Sequence, residues 1–128
     1  MSWEGLFARS DILSIHVPLT ELSRGWVTSK ELGLMKPSAF LVNTSRGPII
    51  VENDLIAALR SRQLAGAALD VYDVEPLPAD HPLLQLDNVL LAPHLGYSTK
   101  ATLQSFFVES VKNVQAWLAG NPINVLEP

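Results

Sequence analysis

Cysteine is absent from the 128 residues, which excludes disulfides, thiol nucleophiles and cysteine–metal sites. Basic residues are sparse and scattered, nine Lys and Arg against thirteen Asp and Glu. The resulting net charge of −4 makes nucleic acid and anionic membranes poor partners. No apolar run reaches the length of a membrane span, and no basic-then-apolar signal pattern opens the chain. The expected setting is therefore cytoplasmic, without membrane contact. The three histidines lie at no zinc-motif spacing, so no metal site is expected. A Gly-x-Ser-x-Gly turn is missing, which argues against a Ser–His–Asp hydrolase. So is the Gly-rich phosphate-binding turn with which an open α/β sheet commonly begins.

What is present reads as a globular α/β chain. Hydrophobic residues make up 48% of the sequence, enough for a core. Residues 1–128 read as one domain, with no repeat, linker or low-complexity tract. Four short apolar runs predict strands: Asp11–Val17, Ala39–Thr44, Gly66–Val71 and Val89–Ala92. Runs of this kind, rather than strict alternations, suit strands buried on both faces of a parallel sheet. Helical stretches separate them. One covers Glu4–Arg9, and a second opens at Ser29 and must end by Pro37. A third is expected to be capped by Asn53 or Asp54. The longest, capped by Ser98 or Thr99, carries Leu103, Phe107, Val111, Val114 and Leu118 at helical spacing, a stripe expected to pack in the core. Strand–helix alternation implies right-handed crossovers and a parallel sheet. Asp73–Asp87, with three prolines and no period, reads as a long loop.

Polar residues fall where these strands should end, the edge at which open α/β sheets bind ligands. Arg46 follows the second strand in the turn Asn43-Thr44-Ser45-Arg46-Gly47. A guanidinium there can clamp a carboxylate through two parallel hydrogen bonds. Glu75 follows the third strand, and His94 follows the fourth. An imidazole titrates near neutral pH and suits general acid–base work. Each residue alone is more often a surface or structural group; their convergence at one sheet edge is the signal. His16, before Pro18, reads as a residue lining the cleft, and His81 as a solvent-facing loop residue.

Together, "DILSIHVPLT" from Asp11, "FLVNTSRGPII" from Phe40, "GAALDVYDVEP" from Gly66 and "NVLLAPHLG" from Asn88 resemble the D-isomer-specific 2-hydroxyacid dehydrogenases, in order and over nearly the whole chain. The resemblance extends to phosphoglycerate, glyoxylate and hydroxypyruvate reductase-like members. It implies a partial Rossmann-like, doubly wound parallel sheet of four strands with flanking helices, the second half of an NAD(P)-binding domain. It also implies roles: Arg46 for the substrate carboxylate and keto oxygen, His94 for proton transfer, and Glu75 to orient His94. Asp70 would contact the nicotinamide carboxamide, and His16, Pro18, Thr44 and Gly96 would line the cofactor cleft. NAD or NADP and a small 2-hydroxy or 2-keto acid would be the ligands. The family's Gly-rich turn, its ribose-reading residue and its substrate domain have no counterpart in the sequence, so residues 1–128 read as a truncated NAD(P)-binding domain. Weak or absent dinucleotide binding and no activity are then expected of this chain alone. An exposed sheet face and a homodimer are also expected. The alternative is a non-catalytic remnant or assembly module that keeps the fold.

Overall fold

The computed structural model describes residues 1–126. It divides into two compact units, one spanning Met1–Leu95 and a second beginning at Gly96. In the first unit the order is α1 (Trp3–Arg9), β1 (Ile12–Ile15), α2 (Ser29–Leu34), β2 (Phe40–Asn43), α3 (Glu52–Arg60), β3 (Gly66–Leu69) and β4 (Val89–Leu91). Single 3-10 turns cover Gly47–Ile49 and Pro82–Gln85. The strands form one parallel sheet in the order β1-β2-β3-β4, as the alternation predicts. No helix among the described residues is long and apolar enough to cross a membrane.

Local chemistry explains the helix starts. Ser2 caps α1 by accepting the Gly5 amide, and Thr28 and Glu31 form a reciprocal capping box at α2. Burial pushes the Glu31 carboxyl up, but hydrogen bonds from Thr28, from its own amide and from the Trp3 indole outweigh this and leave it below its ordinary value. The same carboxylate thus ties α1 to α2 through Trp3 Nε1 at 3.4 Å. At α3 the expected cap fails. Val51 occupies the position without a side-chain bond, and Asp54 instead accepts the Ser29 amide at 2.7 Å, joining α3 to α2.

The register sorts side chains onto two faces. Leu13, Leu41 and Ala67 align in one row, and Ile15, Asn43 and Leu69 in another; all six are buried. Leu13, Ile15, Leu41, Ala67 and Leu69 pack into one core with Phe7, Leu32, Ile56, Leu59 and Leu64. Burial of each large aliphatic side chain stabilises the fold by about 1.5–3 kcal/mol. The opposite face is bare: Ile12 is 68% exposed, Phe40 49% and Leu90 71%. Four sequential parallel strands with right-handed crossovers put their connecting helices on one side, so those helices cover only one face.

In the second unit α4 (Lys100–Leu118) is capped by Thr99, whose hydroxyl accepts the Thr102 amide. No residue of α4 is buried. The stripe from Leu103 to Leu118 is therefore not core, contrary to the expectation from its period. A lone helix has nothing in its own unit thick enough to cover such a stripe.

Candidate active site

The turn after β2 is built around Asn43. Its side chain is buried and donates from Nδ2 to the Arg46 carbonyl at 2.9 Å, while its Oδ1 accepts the Ser45 amide at 3.0 Å. The Ser45 hydroxyl donates to the Val17 carbonyl, which fastens the turn to the segment after β1. Arg46 is exposed, and its Nη1 donates to the Ser45 carbonyl at 2.6 Å. The polypeptide then turns at Gly47, which is buried against the main chain of Tyr72 and Asp73. Only a residue without a β-carbon fits there. Glycine therefore sets how closely the arginine turn approaches the segment that carries Glu75.

Glu75 and His94 meet directly. His94 Nδ1 and Glu75 Oε2 are 2.6 Å apart, and about a third of each side chain is exposed, 35% and 33%. Glu75 Oε1 accepts the Tyr72 amide at 2.9 Å. Burial pushes the Glu75 carboxyl up. Hydrogen bonds from His94 and the Tyr72 amide, and then the charges of His94 and Arg46, more than offset this, so the group lies below its ordinary value. An ionised carboxylate only accepts, so His94 Nδ1 must carry the proton of this bond. Nε2 is the ring nitrogen that this bond does not use. His94 itself has a φ of +57°, a left-handed conformation that non-glycine residues seldom adopt. The peptide Glu75–Pro76 is cis.

His16, Thr44 and Asp70 lie along the same edge. Ile15, Asn43 and Leu69 are register partners, so His16, Thr44 and Asp70, each the next residue, stand at one level just beyond the strands' carboxyl ends. His16 and Thr44 are exposed, and the His16 Nε2 lies 2.7 Å from the Ser14 hydroxyl. Asp70 is buried and accepts the Leu95 amide at 2.8 Å. Pro18 is exposed, and its carbonyl accepts the buried Ser23 hydroxyl at 2.7 Å. Gly96 opens the second unit. An apolar pocket of about 510 Å³ adjoins the Glu75–His94 pair, lined also by Tyr72, Leu77, Leu84 and Leu91.

Two residues that matter here escaped the sequence reading. Asn43 was legible only as part of a polar turn, although an Asn opening such a turn commonly bonds its own backbone. Tyr72 lies within the segment quoted from Gly66 but was given no role there. Its buried hydroxyl lies 2.8 Å from the Ala92 carbonyl and 3.1 Å from that of Leu69. His81 is corrected. It is not solvent-facing: its side chain is 14% exposed, its Nδ1 accepts the Leu83 amide, and its Nε2 lies 3.0 Å from Glu52 Oε1.

Comparison with known proteins agrees with this geometry. Residues 1–96 match the family model described as D-isomer specific 2-hydroxyacid dehydrogenase, NAD binding domain. A glyoxylate reductase of Thermofilum pendens is 44% identical over 115 residues, which are 90% of this chain and 34% of that protein. A hydroxypyruvate reductase of Blautia hydrogenotrophica is 37% identical over 121 residues, 94% of this chain and 38% of that one. The chain thus spans about a third of the length of the curated relatives it matches. Among solved structures, a D-isomer specific 2-hydroxyacid dehydrogenase from Xanthobacter autotrophicus Py2 superposes with a TM-score of 0.86 at 39% identity, covering 95% of this chain and 40% of that one. The NAD-complexed form of the enzyme from Lactobacillus delbrueckii ssp. bulgaricus gives a TM-score of 0.83 at 26% identity, covering 99% and 43%. A parallel sheet whose carboxyl edge carries an arginine turn and a carboxylate–imidazole pair, with a family match over residues 1–96, places the chain in the D-isomer specific 2-hydroxyacid dehydrogenase family.

Proposed function

We propose that this chain supplies the nicotinamide-side part of an NAD(P)-dependent oxidoreductase that interconverts a small 2-hydroxy acid and its 2-keto acid. The observation that carries the proposal is the 2.6 Å bond between His94 Nδ1 and Glu75 at the carboxyl edge of the sheet. Arg46 holds the substrate carboxylate through its guanidinium, whose planar fork matches two carboxylate oxygens. His94 Nε2 donates a proton to the keto oxygen during reduction and takes it back during oxidation. Glu75, kept ionised, fixes the tautomer and ring orientation and stabilises the imidazolium. A reduced nicotinamide dinucleotide, when bound, supplies the hydride to the carbonyl carbon. The hydride and the His94 proton together account for the two atoms gained by the keto acid.

The donor set of the edge fits such a cofactor. His16, Thr44 and Asp70 stand at one level of the sheet, and with Pro18 they would line its nicotinamide side. The Gly-rich turn that seats a pyrophosphate is not among the 128 residues. The bare face bearing Ile12, Phe40 and Leu90 supports a homodimer, and supports assembly as the second reading should catalysis fail.

The test begins with NADH titrated calorimetrically into the purified chain. A polypeptide carrying the Gly-rich turn and substrate domain of a relative is then added, and NADH oxidation with glyoxylate or hydroxypyruvate is followed. Restored turnover that falls about 10²–10⁴-fold in His94→Gln supports the proposal. Restored NADH binding without turnover, or turnover indifferent to His94→Gln, refutes it and favours the non-catalytic reading.

A further inference from the structure

We infer that Tyr72 is the positioning residue of this site, holding the arginine turn, the carboxylate and the imidazole in one arrangement. The inference rests on the reading of Glu75 and His94 as an acid–base pair. Three contacts of the one residue carry it. The Tyr72 amide donates to Glu75 Oε1 at 2.9 Å, on the oxygen not used by His94. The Tyr72 hydroxyl reaches the Ala92 carbonyl at 2.8 Å, two residues before His94. The Tyr72 carbonyl is the surface against which Gly47 packs, next to Arg46.

Chemistry makes the hydroxyl the decisive group. A phenol has one proton to donate, and the shorter of its two carbonyl distances is to Ala92. The Leu69 carbonyl already accepts the Ala92 amide at 2.9 Å. The hydroxyl therefore closes the end of β4 onto the end of β3, at the point where the chain leaves for Pro93 and the left-handed His94. Burial raises the Tyr72 pKa and the charges of Asp70 and Glu75 reinforce it, against the opposing bond to Ala92, so the phenol remains a donor throughout the neutral range. Tyr72 is assigned no part in proton transfer. It acts by fixing where the ring of His94 stands relative to the carboxylate that its own amide holds.

The experiment is imidazole and amide NMR on the ¹⁵N-labelled chain, with His94→Gln used to assign the ring. The reading of the pair expects a downfield Nδ1 proton on His94 that vanishes in Glu75→Gln. Tyr72→Phe, which keeps the ring and removes only the hydroxyl, is expected to speed exchange of that proton by about 2- to 10-fold, the effect of one ordinary hydrogen bond on an opening equilibrium. Leu32→Val, in the core on α2, controls for loss of stability alone and is expected to leave the signal unchanged. Unchanged exchange in Tyr72→Phe, or equal acceleration in Leu32→Val, overturns the role of Tyr72 while leaving the pair intact. A proton missing from the wild type, or surviving Glu75→Gln, overturns the pair itself and Tyr72 with it.

Discussion

Replacing Gly47 by alanine is expected to destabilise the first unit by about 1–3 kcal/mol, the range for forcing an extra carbon into a filled site. Gly47 is buried, and its backbone is not left-handed, so the reason is space alone. An added β-carbon would land on the carbonyl of Tyr72 and 2.6 Å from the amide nitrogen of Asp73. Those are main-chain atoms, and the Tyr72 amide is already bonded to Glu75, so no side chain can swing aside to make room. At about 2.1 cal/mol/K of unfolding entropy per residue over the Met1–Leu95 unit, the loss corresponds to a Tm lower by about 5–15 °C. Thermal melts followed by circular dichroism measure it. Gly33→Ala is the matched control. Gly33 lies within α2, and its added carbon would meet only the tip of the exposed Gln63 side chain, at 3.2 Å. That tip can move, and alanine gains about 0.5–1 kcal/mol over glycine inside a helix, so Tm should rise. A Gly47→Ala chain that melts with the wild type, or a Gly33→Ala chain that falls as far, would refute the reasoning.

Asn43→Ala should cost about 1–3 kcal/mol by urea unfolding, because it removes the bond to the Ser45 amide and leaves the Arg46 carbonyl only the longer one from the Ile49 amide; an unchanged midpoint contradicts that account. Glu75 has a folded pKa below its ordinary 4.5, so its contribution is fully present above that value and is lost as pH falls through the lower folded one. Glu75→Gln should therefore lower stability near neutrality, and the deficit should shrink as pH drops below 4.5; urea midpoints across that range measure it, and a constant deficit counts against the charge-based explanation. Sedimentation equilibrium should find a homodimer that Ile12→Lys, on the bare face, converts to monomer. A wild type that stays monomeric at the highest soluble concentration would sink the dimer.

The sheet was legible because its code is local. Four apolar runs end in polar or proline residues, and each observed strand lies inside the run that predicted it. The ends came out shorter, since pairing stops where the chain must turn toward the site. Arg46, Glu75 and His94 were legible for the same reason, each being the conspicuous polar residue after a strand. Apart from the Glu75–His94 pair, which the family resemblance implied, contacts across long sequence separations were not. Nothing near Asp54 says that it will serve Ser29, twenty-five positions back, and nothing near His81 points to Glu52 at a separation of twenty-nine. The stripe of α4 has the period of a packed face, yet period identifies only a face and never its partner.

The site divides along the same line. The groups that could do chemistry are side chains whose types announce themselves. What aims them is largely main chain: the Tyr72 amide on Glu75, the Ala92 carbonyl under the Tyr72 hydroxyl, and the Arg46 carbonyl held by Asn43. Backbone groups carry no letter in the sequence, so the residues that engage them look ordinary. Asn43, Gly47 and Tyr72 are such residues, and each joins segments of chain that the sheet alone would leave apart. Substituting any of them should therefore disturb the pairing of Glu75 with His94, or the approach of Arg46 to it, without removing a reactive group. That distinguishes them from Arg46, Glu75 and His94, whose loss removes the chemistry while the turns and strand ends stay in place.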